Sequence, residues 1–334
     1  MTRAAVAFPG RGAYTPSSLG SLAPDHPWVT RADDLRREAG LPTVTELDGA
    51  RSFDPSVHLR PTNAWPLTFL AGLLDAERIA DDHEVVVVVA SSSGWYTALA
   101  AAGALPFDDA FRLVAAMAEA AEAPLPDGER PADLIYPLAD ATWMPDPELR
   151  AAVDGAVASS DGRLELALDL GAFAILSGTT AAIEDAATDL PEREVAGRTY
   201  PLRLGGGDAW HTSLRTAAVA QAIADLTGLT WQAPNVALVD GHGRRHTPFS
   251  SVPAVLAEHT LREQPVTTYD FAASFRVALR EYAPDVILLP GPGSSLGAAC
   301  AQLVVREGYR GLRSRADLEA AQRSPNPILL SMRR

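Results

Sequence analysis

The chain has 334 residues, 47% of them hydrophobic, with a single cysteine, 28 basic residues that are all arginine, and a formal net charge of −14. This length and hydrophobic content suit one large or two unequal globular domains. The lone Cys300 excludes a disulfide framework and reads as a buried structural thiol, the lack of lysine excludes Schiff-base chemistry, and the acidic balance argues against nucleic acid and anionic membranes as partners.

Taken in chain order, residues 4–8 form a short apolar strand that runs into the loop Pro9-Gly-Arg-Gly-Ala13. That loop does not resemble a signal-peptide cleavage site, and no apolar run reaches the roughly 20 residues of a membrane span, so the protein is expected in the cytoplasm. Residues 66–79 read as a helix, with Pro66 in its first turn and Leu67, Leu70, Leu73 and Leu74 along one face. Residues 85–89 are five consecutive valines, a strand apolar on both faces. It stops at Ser91-Ser92-Ser93-Gly94 and continues as an alanine-rich helix. A strand breaking into a helix through small residues presents a serine as a nucleophile, and Ala90-Ser-Ser-Ser-Gly94 differs from G-x-S-x-G at one small residue. A plain strand-to-helix loop is the alternative reading. Residues 107–123 form the next helix, opened by Asp108 and Asp109, where the helix dipole favours acids.

From residue 134 the order becomes strand (134–138), helix (147–157), strand (163–169), strand (172–176), helix (179–188), strand (198–204), the βαββαβ order of a ferredoxin-like unit. A Pro-rich segment at 123–131 and Gly205-Gly-Gly207 flank it. The expected fold class is therefore α/β, with a large domain from residues 1–124 and 205–334 and an inserted small domain over 125–204.

His211 follows Gly205-Gly-Gly-Asp-Ala-Trp210 and precedes a helix over 212–226, a rigid junction that suits a general base as well as it suits local capping. His242 and His246 share a polar turn with Arg244 and Arg245, and His26, His58, His83 and His259 stand alone. None has metal-ligand spacing, and all are read as solvated loop residues. The strand 286–289 enters Gly291-Pro-Gly-Ser-Ser-Leu-Gly297. Its GxGxxxG spacing, with little chain after it, disfavours a dinucleotide site.

The order of these pieces resembles the malonyl-CoA:acyl-carrier-protein transacylase family, including trans-acting polyketide acyltransferases. The matching segments are Phe8-Pro-Gly-Arg-Gly12, Ser91-Ser-Ser-Gly-Trp-Tyr-Thr-Ala-Leu99, the helix beginning at Phe107, Leu176-Ser-Gly178, Trp210-His-Thr212 and Gly291-Pro-Gly293. The resemblance implies an α/β-hydrolase-like large domain with an inserted ferredoxin-like small domain. It also implies ping-pong acyl transfer with Ser92 as nucleophile and His211 as base, the histidine being oriented by main-chain carbonyls. Backbone N–H groups of Ser93 and Arg11 would form the oxyanion hole.

Several positions depart from the family pattern. Met117 stands where the family carries the arginine that pairs with the malonyl carboxylate, Arg11 replaces the loop glutamine, and Ser91 the histidine before the nucleophile. Trp95 replaces the glutamate after it, Trp210 the phenylalanine before the base, and Trp65 a glutamine. Met117, Trp210, Trp95, Ser91 and Trp65 are expected to line a remodelled acyl pocket for a non-malonyl group. A malonyl transferase that uses Arg11, an editing thioester hydrolase and a non-catalytic carrier-protein binder are the alternatives. The implied partners are an acyl carrier protein, docked by Arg244, Arg245, Arg310 and Arg313, and a donor acyl-CoA or second carrier protein. Neither metal nor redox cofactor is implied.

Overall fold

The computed structural model describes residues 1–293 and 295–332; Ser294 of the glycine-rich motif lies outside the described residues. Its main sheet has six strands in the order Arg245–His246, Ala237–Val239, His83–Ala90, Thr2–Phe8, Val286–Leu289, Leu329–Ser331. All neighbours are parallel except the edge pair Arg245–His246 with Ala237–Val239. Helices cover the central strands, so Val87, Val88 and Val89 are all buried, as a strand without polar alternation requires.

The helix that leads into the strand His83–Ala90 spans Pro61–Asp82, starting five residues before the expected Pro66. Proline inside a helix frees the carbonyl four residues earlier. Here that carbonyl, on Thr62, accepts a hydrogen bond from Arg36 Nη1 at 2.7 Å, which compensates the interruption.

The second sheet follows the order Tyr269–Asp270, Leu164–Asp169, Phe173–Thr179, Pro131–Pro137, Leu202–Leu204. The last four strands are mutually antiparallel, with helices Pro147–Ala158 and Thr180–Asp189 between them in sequence, which is the ferredoxin-like arrangement. This unit has its own apolar core, including Leu134, Tyr136, Leu149, Val153, Leu164, Leu176 and Ile183. The edge strand Tyr269–Asp270 comes from the other end of the chain and pairs in parallel with Leu164–Asp169, stitching the small unit to the large one. At Gly207 the chain leaves the small unit so close to it that a Cβ would stand 2.5 Å from Ala132 Cα. No helix among the described residues is long and apolar enough to cross a membrane.

Candidate active site

Ser92 sits where the strand His83–Ala90 turns into the helix Gly94–Ala101, with φ of 54°. A left-handed conformation at a residue with a side chain is strained and persists only where its surroundings enforce it. Those surroundings are unusually close. A Cβ on Gly94 would meet Pro9 O at 2.5 Å and Phe8 O at 2.8 Å, and one on Gly10 would meet Ser91 O at 2.4 Å. The first loop is thus pressed against the serine turn, and only glycine fits at both points.

His211 lies on a second strained junction, with φ of 63° at His211 and 48° at Ala209. Its ring is buried and bonded at both nitrogens: Nδ1 is 2.6 Å from the carbonyl oxygen of Gln264 and Nε2 is 2.9 Å from Ser92 Oγ. A carbonyl only accepts, so Nδ1 carries the proton and Nε2 presents its lone pair to the serine hydroxyl. Burial drives the His211 pKa down to about 4, against a smaller opposing effect from the Gln264 carbonyl. The imidazole is therefore neutral at pH 7, the form a base requires. Gln264 acts twice, because its side-chain amide also donates to Ser92 O at 3.3 Å. Tyr269 packs beside the imidazole, with ring centroids 5.2 Å apart, and its hydroxyl donates to Ala90 O at 2.8 Å.

A cavity of about 280 Å³ opens onto Ser92 and His211 between the two sheets. Ala167, Leu168, Ile175 and Ser177 line it from the small unit; Gly10, Arg11, Tyr14, Ser91 and Trp210 line it from the large one. Of the residues expected at the acyl pocket, Ser91 and Trp210 line this cavity. Met117, Trp95 and Trp65 do not, and the expectation that they line the pocket is corrected. Met117 is wholly buried in the main core. Trp95 is buried in the main core, where its indole N–H donates to Thr260 Oγ1 at 2.9 Å. Trp65 lies behind Trp210, edge to face with centroids 5.2 Å apart.

The two acids of the pocket, Asp133 and Asp208, were the least visible in sequence. Arg11 Nη2 bonds to the Asp133 carboxylate, its Nε is 3.1 Å from Asp208 Oδ2, and its Nη1 bonds to Gly206 O. Both aspartates line the cavity and both are buried. Burial pushes the Asp208 carboxyl up, and Arg11 partly opposes this. Arg215, fully buried, donates through Nε to Asp208 O at 2.5 Å and through Nη1 to the carbonyls of Ala120 and Ala123. Two arginines thus lie beside two aspartates at the cavity. A single acid in the apolar stretch Ala132-Asp-Leu-Ile-Tyr136 was the available signal for Asp133.

Side-chain contacts bear on two further expectations, and correct the second. Arg244 pairs with Glu263, Arg245 with Glu281 and Arg310 with Asp285, while Arg313 gives its backbone N–H to Asp317. The first three are each paired with a neighbouring acid and remain half-exposed. Nor are the histidines all solvated: His58, His246 and His259 are buried, His58 between the carbonyls of Asp54 and Leu47, and His246 against Asp240 Oδ2 at 2.9 Å. Cys300 is buried and free, and burial raises its pKa, as an inert thiol requires.

No family model matches the chain. The malonyl CoA-acyl carrier protein transacylase of Escherichia coli O157:H7 is 26% identical over 248 residues, 72% of this chain and 74% of that protein. Among solved structures, an acyl-carrier-protein S-malonyltransferase from Burkholderia pseudomallei 1710b superposes with a TM-score of 0.73 at 24% identity, covering 99% of this chain and 96% of that one. The acyltransferase domain from the second module of the salinomycin polyketide synthase superposes with a TM-score of 0.71 at 23% identity, covering 100% of this chain and 69% of that one. The structural likenesses carry the fold, an α/β large unit with an inserted ferredoxin-like unit. The curated relative bears the same family name that the sequence motifs suggest.

Proposed function

We propose that this chain is a serine acyltransferase. It moves an acyl group from a CoA or carrier-protein thioester, through an ester on Ser92, to the phosphopantetheine thiol of an acyl carrier protein. The observation that carries this reading is the relay from Ser92 Oγ to His211 Nε2 and from His211 Nδ1 to Gln264 O, at 2.9 and 2.6 Å.

In the first half-reaction the Ser92 hydroxyl adds to the thioester carbonyl as His211 Nε2 takes its proton. The tetrahedral oxyanion meets the backbone N–H groups of Ser93 and Arg11, donors each worth on the order of 3 kcal/mol of barrier. The carbon–sulfur bond then breaks, His211 protonates the departing thiolate, and the acyl-serine remains. The carrier-protein thiol reverses these steps: it loses its proton to His211, adds to the ester, and Ser92 leaves with that proton restored. With its proton fixed on Nδ1, the imidazole performs both transfers through one nitrogen.

The acyl group carries no free carboxylate. A carboxylate in a dry pocket needs a free guanidinium, and the arginine lining this cavity, Arg11, is held by Asp133 and Asp208. A malonyl carboxylate would face those two acids, which disfavours the reading in which Arg11 selects it.

The test is intact-mass spectrometry after mixing the protein with malonyl-CoA and a panel of uncharged acyl-CoA and acyl-carrier-protein thioesters, with Ser92→Ala as control. The expected result is an uncharged acyl adduct, absent in the control, that moves to a carrier protein. A malonyl adduct in preference to the others refutes the specificity. Release of free acid without transfer refutes the transferase assignment in favour of an editing hydrolase, and no adduct with any donor refutes the catalytic assignment.

A further inference from the structure

Outside the acyl site, the structure gathers a second cluster of imidazoles and carboxylates that the sequence had scattered. His242, on the turn after the strand Ala237–Val239, and His259 and Glu263, one helical turn apart, each offer a ligand atom within 4.8 Å of the others. Asp240 and His246 stand behind them. Asp240 Oδ2 is 2.9 Å from His246 Nε2 and 3.6 Å from His259 Nε2.

The bonding of His259 is unresolved by protein groups alone. Its side chain is 1% exposed, its Nδ1 is 3.2 Å from Glu263 Oε2, and its Nε2 has no hydrogen-bond partner among the described residues. A neutral imidazole has one N–H and one lone pair. With the proton on Nδ1, the Nε2 lone pair faces the Asp240 carboxylate. With the proton on Nε2, the Nδ1 lone pair faces the Glu263 carboxylate. Either neutral tautomer sets a lone pair of the buried His259 ring against an anion, and a cation between Nδ1 and the half-exposed Glu263 removes the conflict.

We propose that His242, His259 and Glu263 bind a divalent transition-metal ion of the zinc type. Two imidazoles and one carboxylate are a zinc-like donor set, whereas magnesium and calcium take oxygen ligands. The metal occupies His259 Nδ1, which fixes the remaining proton on Nε2, directed at Asp240. That is the carboxylate–histidine–metal arrangement that orients a ligating imidazole. His242 is exposed on its turn, with its Nε2 3.4 Å from Thr267 Oγ1 and its ring centroid 5.4 Å from that of His259. Arg244 Nη1, 2.8 Å from Glu263 Oε2, competes with the metal for that carboxylate.

The location gives the site a consequence for the enzyme. Glu263 immediately precedes Gln264, whose carbonyl holds the Nδ1 proton of His211, and the His259 ring meets Trp95 of the nucleophile helix edge to face, with centroids 5.8 Å apart. A bound metal braces the segment that orients the base.

The experiment is to strip the full-length protein with chelator and titrate it with Zn²⁺ by calorimetry and with Co²⁺ by visible absorption, which reports low-symmetry coordination. The expected result is one equivalent bound. His242→Ala and Glu263→Gln should each weaken binding by more than the roughly 10-fold that even an outer-shell partner is worth. Arg244→Gln, which removes the competing cation, should tighten it. Failure of the wild-type protein to bind either ion, or unchanged affinity in the His242→Ala/Glu263→Gln double variant with native circular dichroism, overturns the site. Weaker or equal binding by Arg244→Gln overturns it even where the other variants do not fold.

Discussion

The depressed pKa of His211 makes the pH dependence of acylation a direct probe of the site. The group moves from the usual 6.5 to about 4 because its buried ring loses hydration in the charged form. If Ser92 acylation requires neutral His211, the fraction of competent enzyme at pH 5 is about 90%, against about 3% for a histidine left at its usual value. The second-order rate of acyl-serine formation, followed by quenched-flow mass spectrometry with an uncharged acyl-CoA, should be flat from pH 8 to 5 and halve near pH 4. The same shift acts on stability. The unfolded chain takes up a proton on this histidine below pH 6.5 and the folded one only near 4, so stability is fully present above 6.5 and is lost as the pH falls towards 4. The loss reaches about 3 kcal/mol, at about 1.4 kcal/mol per pH unit. Because burial raises the Asp208 pKa and so acts with the opposite sign, the measurement is the difference between wild type and His211→Gln in urea unfolding at pH 7 and pH 4.5. An acylation limb near pH 6.5, or a difference that does not change with pH, refutes the placement of His211 as a dry, neutral base.

Gly94→Ala drives a Cβ to 2.5 Å from a backbone oxygen of the first loop. It should lower the acylation rate by about 100-fold or more, as an ångström-scale misplacement of a nucleophile does; full activity would show that the loop yields freely. Met117→Arg should not create a malonyl adduct in the mass assay, because that side chain is enclosed in the core, and it should destabilise the fold by about 3 kcal/mol or more for an unpaired buried charge. Malonyl transfer with unchanged stability would mean that position 117 reaches the pocket. Gln264→Ala keeps the carbonyl that orients His211 but removes the amide on Ser92 O. Its pH profile should keep the same midpoint while the rate falls; a shifted midpoint would transfer the orienting role to the side chain.

Ser92 and His211 were legible because each sits at a change of backbone state that leaves a composition signature: five valines into three serines and a glycine, and three glycines before a tryptophan and a histidine. The βαββαβ unit was legible for the same reason, through alternating strand and helix patterns bounded by proline and glycine. The start of the helix Pro61–Asp82 was not, because Pro66 reads locally as a first-turn residue and its compensation, Arg36 on Thr62 O, comes from another helix. Gln264 left no trace, since its part is played by a main-chain carbonyl that every residue has. Met117 was assigned by register with a family arginine, but register does not report where a helix face points once its neighbours have changed. The buried His246 and His259 were misread because His259 joins the turn carrying Asp240, His242 and His246 only through the fold.

The pocket charges bear on more than acyl selection. The Arg11 backbone lies in the loop that presses on Ser91 and Ser92, while its side chain is anchored to Asp133 on the small unit's sheet and to Asp208 on the segment leading to His211. One residue therefore ties together the proposed oxyanion donor, the small unit and the base. A partnered arginine in a buried network holds its geometry because removing any member leaves an uncompensated charge, a cost of about 3–5 kcal/mol. In an enzyme that pairs a cation with its substrate's carboxylate, that cation is available only until substrate arrives, and binding supplies its counter-ion. Here the counter-ions are built into the chain. The counter-ions of Arg11 are present without substrate, so the proposed acyl site would select by the shape and apolar lining given by Ala167, Leu168, Ile175 and Trp210. An acyl chain would be admitted for filling that space, and a carboxylate disfavoured because Arg11, the arginine that lines it, is already paired with Asp133 and Asp208.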